Sequence, residues 1–241
     1  MKARRAVKVS KPRARTVGVV ASPADWRRAL RMAKPPDLFE LRLDQLTECL
    51  DELEKEMSIH LACSGKASSV PLIITARHPA EGGVNHLSIQ RRRRLLMRFL
   101  PYAHYVDVEL RSAKKLRSIL DEARAKNIGR IISFHAFKNT PRVSTLKSKA
   151  RAAKSHGADI FKVAIRTDTP AQLERLFDFA ASKDVDLVVS AMGIGKLGAV
   201  SRVVLAQLGS VFIYVSLGEA NVEGQLSIQQ LRAAISALKV G

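Results

Sequence analysis

Short apolar segments alternate with longer amphipathic segments eight times along the chain, and this alternation constrains the fold more than any other feature. The short segments are rich in Val, Ile and Phe, as buried strands are, whereas the longer segments have the apolar spacing of helices. We predict strands at residues 16–20, 38–43, 70–75, 105–110, 130–134, 159–165, 186–191 and 211–215. We predict helices at residues 24–32, 46–57, 88–99, 113–126, 143–155, 170–182, 200–208 and 228–238.

Strands that alternate with helices predict a parallel sheet, because each crossover returns the chain to the same end of the sheet. Eight such units in about 225 residues, with no linker between them, favour an α/β fold of one domain. We predict a closed (β/α)8, or TIM, barrel at residues 16–241. The alternative is an open doubly wound sheet, which usually has a glycine-rich first turn. The first turn here, at residues 20–23, reads Val-Ala-Ser-Pro and has no glycine.

Positive charge is the most unusual part of the composition, with a net charge of +19 over 241 residues. Residues 1–15 hold seven Lys and Arg, and we expect a disordered basic tail there. Residues 91–94 are four consecutive arginines on a predicted helix, where one of them could face the core. Aromatic residues make up only 5% of the chain, which is poor for base stacking. We therefore expect nucleic acid to make at most non-specific contact with the tail.

Cofactor and membrane motifs are missing from the sequence. No HExxH, P-loop or Rossmann glycine pattern occurs, and the six histidines show no ligand spacing, so we expect no metal. No run of about 18 apolar residues is present, and the basic N-terminus lacks the apolar core of a signal peptide. Cys49 and Cys63 form neither a metal-type pair nor a disulfide framework, which favours a cytoplasmic location.

Lys162 lies at the centre of the predicted strand at residues 159–165. Alternation places it between Ile160 and Ala164 on one face of that strand. A buried, unpaired ammonium tends to lose its proton, and a neutral amine is a nucleophile toward carbonyls. We expect burial and neighbouring cations to favour that neutral form. The alternative is an edge strand from which the lysine reaches water.

Charged or titratable side chains stand at the ends of five consecutive predicted strands, where a barrel places its chemistry. Glu40 and Arg42 share one face of strand two, so they could pair with each other and bind hydroxyls, or form a structural ion pair. Arg77 and Glu81 follow strand three, either as site residues or as incidental loop charge. His135 follows strand five, where it could move protons at neutral pH or serve only the structure.

A loop with three glycines at residues 193–198 precedes Ser201 and Arg202. Backbone amides at a helix start and a nearby arginine suit a carboxylate or a phosphate. The alternative is a plain glycine loop with a capping serine.

These motifs together resemble those of the type I 3-dehydroquinate dehydratases, the Schiff-base-forming class. The resemblance runs from about Val17 to Leu238, nearly the whole chain, and the motifs stand in the family's order. They are Glu40-x-Arg42-x-Asp44, Arg77-x3-Glu81-Gly82-Gly83, Asp107-x-Glu109-Leu110, Ser133-x-His135-x-Phe137 with Thr140-Pro141, Ala158-Asp159-Ile160-x-Lys162, Met192-Gly193, Ser201-Arg202, Gly209-Ser210 and Gly224-Gln225. The resemblance implies a homodimeric barrel lyase that converts 3-dehydroquinate to 3-dehydroshikimate in the shikimate pathway.

The resemblance also implies roles for individual residues. Lys162 would form an imine with the substrate ketone, and His135, supported by Glu81, would carry the proton from carbon to the leaving hydroxyl in a syn elimination. The other implied residues are Arg202, Gln225 and Asn221 for the carboxylate, Glu40, Arg42 and Arg77 for the ring hydroxyls, Met192 against the imine, and Asp107 and Ser22 in supporting positions, with Asp107 as a second group that orients His135. No cofactor is implied, because the lysine itself activates the ketone.

Three features depart from the family pattern. Ala136 stands where the family usually has an Asp after the histidine. Residues 221–223 read Asn-Val-Glu instead of Ser-Ala-Pro, which would bring Glu223 near an anionic substrate. The glycine loop before Arg202 is about two residues longer than usual.

Two other functions remain open from the sequence. Another imine-forming barrel, such as a class I aldolase, would also need the lysine of strand six, but would not account for the motifs around Glu40 and Arg77. A basic nucleic-acid-binding barrel would account for the charge alone.

Overall fold

The computed structural model describes residues 14–63 and 70–237. Within these residues eight parallel strands alternate with eight α-helices. The strands are β1 (Arg15–Val20), β2 (Leu38–Arg42), β3 (Leu72–Thr75), β4 (Tyr105–Glu109), β5 (Gly129–Ala136), β6 (Ile160–Arg166), β7 (Val188–Ile194) and β8 (Phe212–Ser216). The helices are α1 (Pro23–Leu30), α2 (Leu50–Cys63), α3 (Ile89–Phe99), α4 (Arg117–Ala125), α5 (Val143–Ser155), α6 (Pro170–Ala181), α7 (Gly198–Gln207) and α8 (Ile228–Ala237).

The eight described strands form one sheet that closes on itself almost completely. Their order is β7-β6-β5-β4-β3-β2-β1-β8, so the two strands at its ends are the last two in the chain. These meet across the remaining seam, where the Val211 amide donates to the Val189 carbonyl at 3.1 Å and Ser190 Oγ donates to the Phe212 carbonyl at 3.3 Å. The predicted (β/α)8 barrel is confirmed, and the open sheet is excluded.

Each strand places alternate residues inside the barrel and against the helices. On β6, Ile160 and Ala164 belong to the core inside the barrel, whereas Phe161, Val163 and Ile165 pack in the larger core between barrel and helices. The predicted inner and outer faces of this strand are therefore confirmed. Inside the barrel, the residues near the amino ends of the strands are largely apolar. The buried charged residues lie further along the strands, toward their carboxyl ends.

Several predicted element bounds are wrong. Two helices begin later than predicted, because turns occupy residues that the local pattern assigns to them, and one strand is longer than predicted. Helix α2 begins at Leu50 rather than at 46, since Leu46 and Cys49 lie in turns that bring the chain away from β2. Helix α4 begins at Arg117 rather than at 113, after a short 3-10 helix. Strand β7 extends to Ile194 instead of ending at 191, because it pairs with β6 along its whole length.

The basic N-terminus is only partly within the described residues. Of the predicted tail, residues 1–13 lie outside them, whereas Arg15 is the first residue of β1 and its amide donates to the Val211 carbonyl at 2.9 Å. The predicted tail therefore extends too far at its C-terminal end. Among the helices that the structure describes, none is long and apolar enough to cross a membrane.

Arg92 is the member of the arginine run that faces the core, and it is 1% exposed. Its guanidinium pairs with the Glu109 carboxylate, and it also donates to the Ala76 carbonyl and to Ser112 Oγ. The charged end of this side chain therefore does not reach water. It ties α3 to the carboxyl ends of β3 and β4, beside the charged interior of the barrel.

Arg92→Ala should lower the free energy of unfolding by roughly 3 kcal/mol or more, because removing one member of a buried pair leaves the other uncompensated. Arg94→Ala, at an exposed position of the same helix, should change it by less than about 0.5 kcal/mol. Denaturant titration of the two variants measures both values. Equal effects would show that the pair of Arg92 and Glu109 does not stabilise the barrel.

Candidate active site

A cavity of about 320 Å³ lies at the carboxyl end of the barrel, the end at which (β/α)8 enzymes hold their active sites. Its lining includes every residue that the sequence analysis proposed as catalytic or substrate-binding, namely Lys162, His135, Glu81, Glu40, Arg42, Arg77, Arg202, Asn221, Gln225 and Met192. Asp107 and Ser22, proposed in supporting positions, are not among the lining residues. The ten lining side chains come from six strands or from the loop or helix that follows each of them, and only barrel closure brings them together.

Lys162 points into this cavity from β6 and is 4% exposed. Its Nζ lies 3.2 Å from Glu40 Oε1 and 3.1 Å from Asp107 Oδ2, so two carboxylates compensate the buried ammonium. The expectation that neighbouring cations surround this amine is therefore wrong for its direct contacts. The reason is that strands β2 and β4 each direct an acidic side chain across the barrel toward β6.

Arg77 joins the acidic side chains of β4 at the centre of the site. It donates to both carboxylate oxygens of Asp107, at 3.1 and 2.9 Å, and to Glu109 Oε1 at 3.2 Å. Burial alone would lower the pKa of Arg77, but the two carboxylates outweigh burial and raise it well above its usual range. Burial alone would raise the pKa of Asp107, but Arg77 and Lys162 outweigh burial and lower that pKa well below its usual range. The Asp107 carboxylate therefore stays ionised. Among the described residues no hydrogen bond joins it to His135, so the expectation that Asp107 orients this ring has no direct contact to support it.

Glu40 and Arg42 both face the cavity, but they do not pair with each other. Arg42 instead forms two hydrogen bonds with the buried Asp44, at 3.0 and 2.8 Å. Glu40 accepts from Thr75 Oγ1 at 2.7 Å and from Lys162. Asp44 also accepts from the backbone amide of Arg77, so it fixes the loop after β3 as well as the Arg42 guanidinium.

His135 and Glu81 form a hydrogen-bonded pair on the β3–β5 side of the cavity. Glu81 Oε2 lies 3.0 Å from His135 Nδ1 and accepts the backbone amide of His135 at 3.0 Å. Burial, with Arg77 and Lys162 nearby, lowers the pKa of His135 well below its usual range. Burial, together with the Glu109 charge, raises the pKa of Glu81 to about 7. The imidazole is therefore neutral at pH 7, and its hydrogen bond depends on a carboxyl that titrates there.

The protonation of Glu81 decides which imidazole nitrogen can act as a base. An ionised Glu81 accepts a hydrogen bond from Nδ1–H, which leaves Nε2 as the unprotonated nitrogen. A protonated Glu81 donates to Nδ1 instead, which moves the imidazole proton to Nε2. Ala136 takes no part in this arrangement, because it lies on the outer face of β5 and packs against the core between barrel and helices.

Arg202 is buried, with 2% exposure, and pairs with no acidic side chain among the described residues. Its Nη1 donates to three backbone carbonyls, those of Gly193, Gly198 and Gly224, at 2.8, 2.9 and 2.6 Å. Its Nε is buried without a hydrogen-bond partner. Burial lowers the pKa of Arg202 to about 10, so the side chain is still cationic at pH 7. A buried cation with an unused donor is well suited to bind an anion.

The loop between β8 and α8 carries Asn221 and Gln225 to the rim of the cavity. Gln225 Oε1 accepts from the Asn221 backbone amide at 2.7 Å, which orders this loop from within. Glu223 pairs with Arg166 at 3.0 Å and is not a lining residue, so the expectation that it approaches the substrate is wrong. Gly224 has φ +77°, and a Cβ there would lie 2.3 Å from the Gly195 carbonyl, which explains the glycine at this crossing of two loops.

Ser22 caps α1, since its Oγ accepts the Asp25 amide at 3.1 Å. Tyr214 is a lining residue that the sequence analysis missed, and the Lys162 Nζ lies 3.8 Å from its ring centroid. Inward alternation on β8, from Phe212 through Tyr214, was the signal that could have identified it.

Sequence comparison links this chain to one enzyme family. Residues 19–241 match the family model described as type I 3-dehydroquinase. The 3-dehydroquinate dehydratase of Pyrococcus abyssi is 32% identical over 213 residues, which cover 85% of this chain and 89% of that relative. The 3-dehydroquinate dehydratase of Thermodesulfovibrio yellowstonii is 30% identical over 200 residues, covering 82% and 84% of the two chains.

Solved structures show the same fold. The 3-dehydroquinate dehydratase of Geobacillus kaustophilus superposes with a TM-score of 0.80 at 24% identity, covering 96% of this chain and 92% of that one. A type I 3-dehydroquinate dehydratase of Clostridium difficile, with covalent modified comenic acid, gives a TM-score of 0.82 at 21% identity, covering 95% and 93%. At these identities the superpositions support the fold alone.

Titration of Glu81 should move the proton of the His135 ring near pH 7. Above that pH the proton should lie on Nδ1, and below it on Nε2, with the ring neutral on both sides. Nitrogen NMR of histidine-labelled protein between about pH 5.5 and 8.5 measures this exchange. Glu81→Gln, which has no titrating carboxyl, should abolish the transition. A tautomer that stays constant in the wild-type protein would contradict the assignment of Glu81.

Proposed function

The chain belongs to the type I 3-dehydroquinase family, and from this premise we propose that it removes water from 3-dehydroquinate through an imine on Lys162. The product would be 3-dehydroshikimate, within the shikimate pathway. The observation that carries the proposal is one cavity lined by a buried lysine, a neutral histidine and an arginine without an anionic partner. The imine needs the lysine, the proton transfer needs the histidine, and the carboxylate contact needs the arginine.

Imine formation joins Lys162 to the substrate ketone. Overall, the ammonium and the ketone give a protonated imine and one water, so the positive charge stays on nitrogen. The attacking species is the neutral amine, and Glu40 and Asp107 are the groups in direct contact with the nitrogen. We propose that these two contacts hold the nitrogen in place for its attack on the ketone.

Proton transfer then falls to His135. The protonated imine acidifies the adjacent C–H bond by withdrawing its electron pair, and Nε2 of the neutral imidazole takes that proton. The pair moves into the carbon framework as an enamine and then expels the hydroxyl on the next carbon. His135 returns its proton to that hydroxyl, which leaves as water. Hydrolysis of the resulting conjugated imine frees the product and restores Lys162.

Substrate binding uses the other lining residues. We propose that the Arg202 guanidinium, which has no anionic partner in the described chain, takes the substrate carboxylate, with Asn221 and Gln225 beside it. Met192 would supply an apolar contact near the imine, and Arg42 and Glu40 polar contacts for the ring hydroxyls. Arg77 already donates to Asp107 and Glu109, so its larger contribution would be to hold these acids in place.

Other observations bear on the alternatives. A class I aldolase would also use a lysine on β6, but the family relation and the arginine-rich cavity favour the dehydratase. A nucleic-acid-binding function gains no support from a cavity of this size. The homodimer and the cytoplasmic location follow from the resemblance and the composition, and both stay predictions.

Borohydride trapping tests the roles of Lys162 and His135. With 3-dehydroquinate present, the wild-type protein should carry a reduced adduct on the peptide that contains Lys162. Lys162→Ala should show neither adduct nor turnover, whereas His135→Ala should be trapped while kcat falls by at least about 100-fold. Lys196→Ala, an exposed lysine on the β7–α7 loop, is the matched control and should behave as wild type. An adduct on another lysine, or full turnover by Lys162→Ala, would refute the proposal.

Arg202→Ala should raise KM for 3-dehydroquinate roughly 10- to 100-fold, because a charge-assisted hydrogen bond in a buried site is lost. Arg202→Lys should recover only part of this, since an ammonium cannot form the planar two-point contact. Arg151→Ala, at an exposed position on α5, is the control for loss of one positive charge. Initial-rate kinetics measures KM for all three variants. An unchanged KM in a folded Arg202→Ala protein would show that Arg202 does not bind the substrate carboxylate.

A further inference from the structure

The nitrogen of Lys162 rests on the face of an aromatic ring. Tyr214 projects into the barrel from β8 and is 3% exposed, and the Lys162 Nζ lies 3.8 Å from its ring centroid. A cation at this distance over a ring face is attracted by the ring quadrupole, most strongly where water is excluded. Three groups therefore hold this nitrogen: Glu40 and Asp107 by hydrogen bonds, and Tyr214 by its ring.

The ring, rather than the hydroxyl, is the part of Tyr214 that the site uses. Its Oη is buried and has no hydrogen-bond partner among the described residues. Burial, with the charges of Glu40 and Asp107 nearby, raises the pKa of this hydroxyl well above its usual range, so it stays neutral. An unpaired buried hydroxyl costs stability, and a phenylalanine would avoid that cost. The hydroxyl therefore does not explain a tyrosine here, and the contact of its ring with the Lys162 nitrogen is the feature that needs a function.

We propose that Tyr214 is a positioning residue that stabilises the protonated imine on Lys162 through the face of its ring. This inference rests on the proposed function, since it concerns the same intermediate. An ammonium has three N–H donors, whereas a protonated imine has one. Imine formation therefore removes donors that Glu40 and Asp107 share in the free enzyme, while the positive charge remains. The attraction to the ring depends on that charge and not on the number of N–H groups.

The neutral amine that attacks the ketone, and the neutral amino alcohol that it first forms, carry no such charge, so the ring favours the protonated imine over both. A group that favours the protonated imine over the neutral amino alcohol before it shifts the equilibrium between these two toward the imine. Loss of the ring should therefore lower the fraction of enzyme present as imine at saturating substrate. A contact that only fills space would not make this fraction depend on the electron density of the ring.

A series of ring-fluorinated phenylalanines at position 214 separates these two possibilities. Tyr214→Phe is the reference, because it keeps the ring and removes the unpaired hydroxyl. Phenylalanines with one, two and three ring fluorines have nearly the same shape and a progressively weaker quadrupole. We expect the fraction trapped by borohydride on Lys162 to fall stepwise along the series. A fraction that is the same from phenylalanine to the trifluoro ring would overturn the inference.

The same series at Phe212 is the matched control. Phe212 lies on the same strand, is equally buried and packs edge-on against Tyr214 with ring centroids 6.4 Å apart, but Lys162 is not over its ring. Fluorination there should leave the trapped fraction unchanged. A stepwise fall at position 212 equal to that at 214 would assign the effect to packing and overturn the inference.

Tyr214→Leu removes the ring while keeping an apolar side chain. We expect kcat/KM to fall roughly tenfold, with a matching loss of trapped imine, in protein whose folding is verified by circular dichroism. A folded Tyr214→Leu protein with the same trapped fraction as the reference would count against the role of the ring. Absence of any Lys162 adduct in the wild-type protein would instead refute the imine itself, so failure of the proposed function is recognised separately.

Discussion

A buried network of ion pairs across the barrel interior is the interaction on which the rest of the structure depends. Arg77, Arg92 and Lys162 are its cations, Glu40, Asp107 and Glu109 are its carboxylates, and each of the six is at most 4% exposed. Such charges are stable in a protein interior only when each has partners with good geometry. The network therefore fixes the relative positions of four strands and one outer helix, and removing one member leaves others unpaired.

The same network sets the chemistry of the cavity. Burial, with Arg77 and Lys162 nearby, lowers the pKa of His135 and keeps the ring neutral, whereas the same two cations outweigh burial at Asp107 and keep that carboxylate ionised. Burial and the Glu109 charge raise the pKa of Glu81 to about 7. Arg202 lies outside the network and is buried with no carboxylate partner in the described chain. The positive charge of Lys162 is therefore compensated by two carboxylates, whereas Arg202 has no anionic partner among the described residues. A substrate with a ketone and a carboxylate would offer a carbonyl carbon to Lys162 and an anion to Arg202.

Two departures from the family pattern have structural explanations. Ala136 lies on the outer face of β5, so an acid at that position would not reach the cavity directly, and Glu81 supplies the hydrogen bond to His135. Glu223 turns away from the cavity and pairs with Arg166, which ties the β8–α8 loop to the end of β6. This pair attaches the loop that carries Asn221 without placing a negative charge beside the substrate.

The sequence by itself determined the barrel and the two faces of β6 and, through the resemblance to a known family, ten of the residues around the cavity, because periodicity, unit count and motifs are local properties of the chain. It also assigned Lys162, correctly, to the inside of β6. Only the tertiary structure decided which charges pair. Arg42 binds Asp44 rather than Glu40, and Lys162 contacts a carboxylate 122 residues away in the chain. Tyr214 was likewise missed, since an aromatic residue in a strand is ordinary until the closed barrel brings it beneath the lysine. Pairing depends on distance and burial, which exist only after closure.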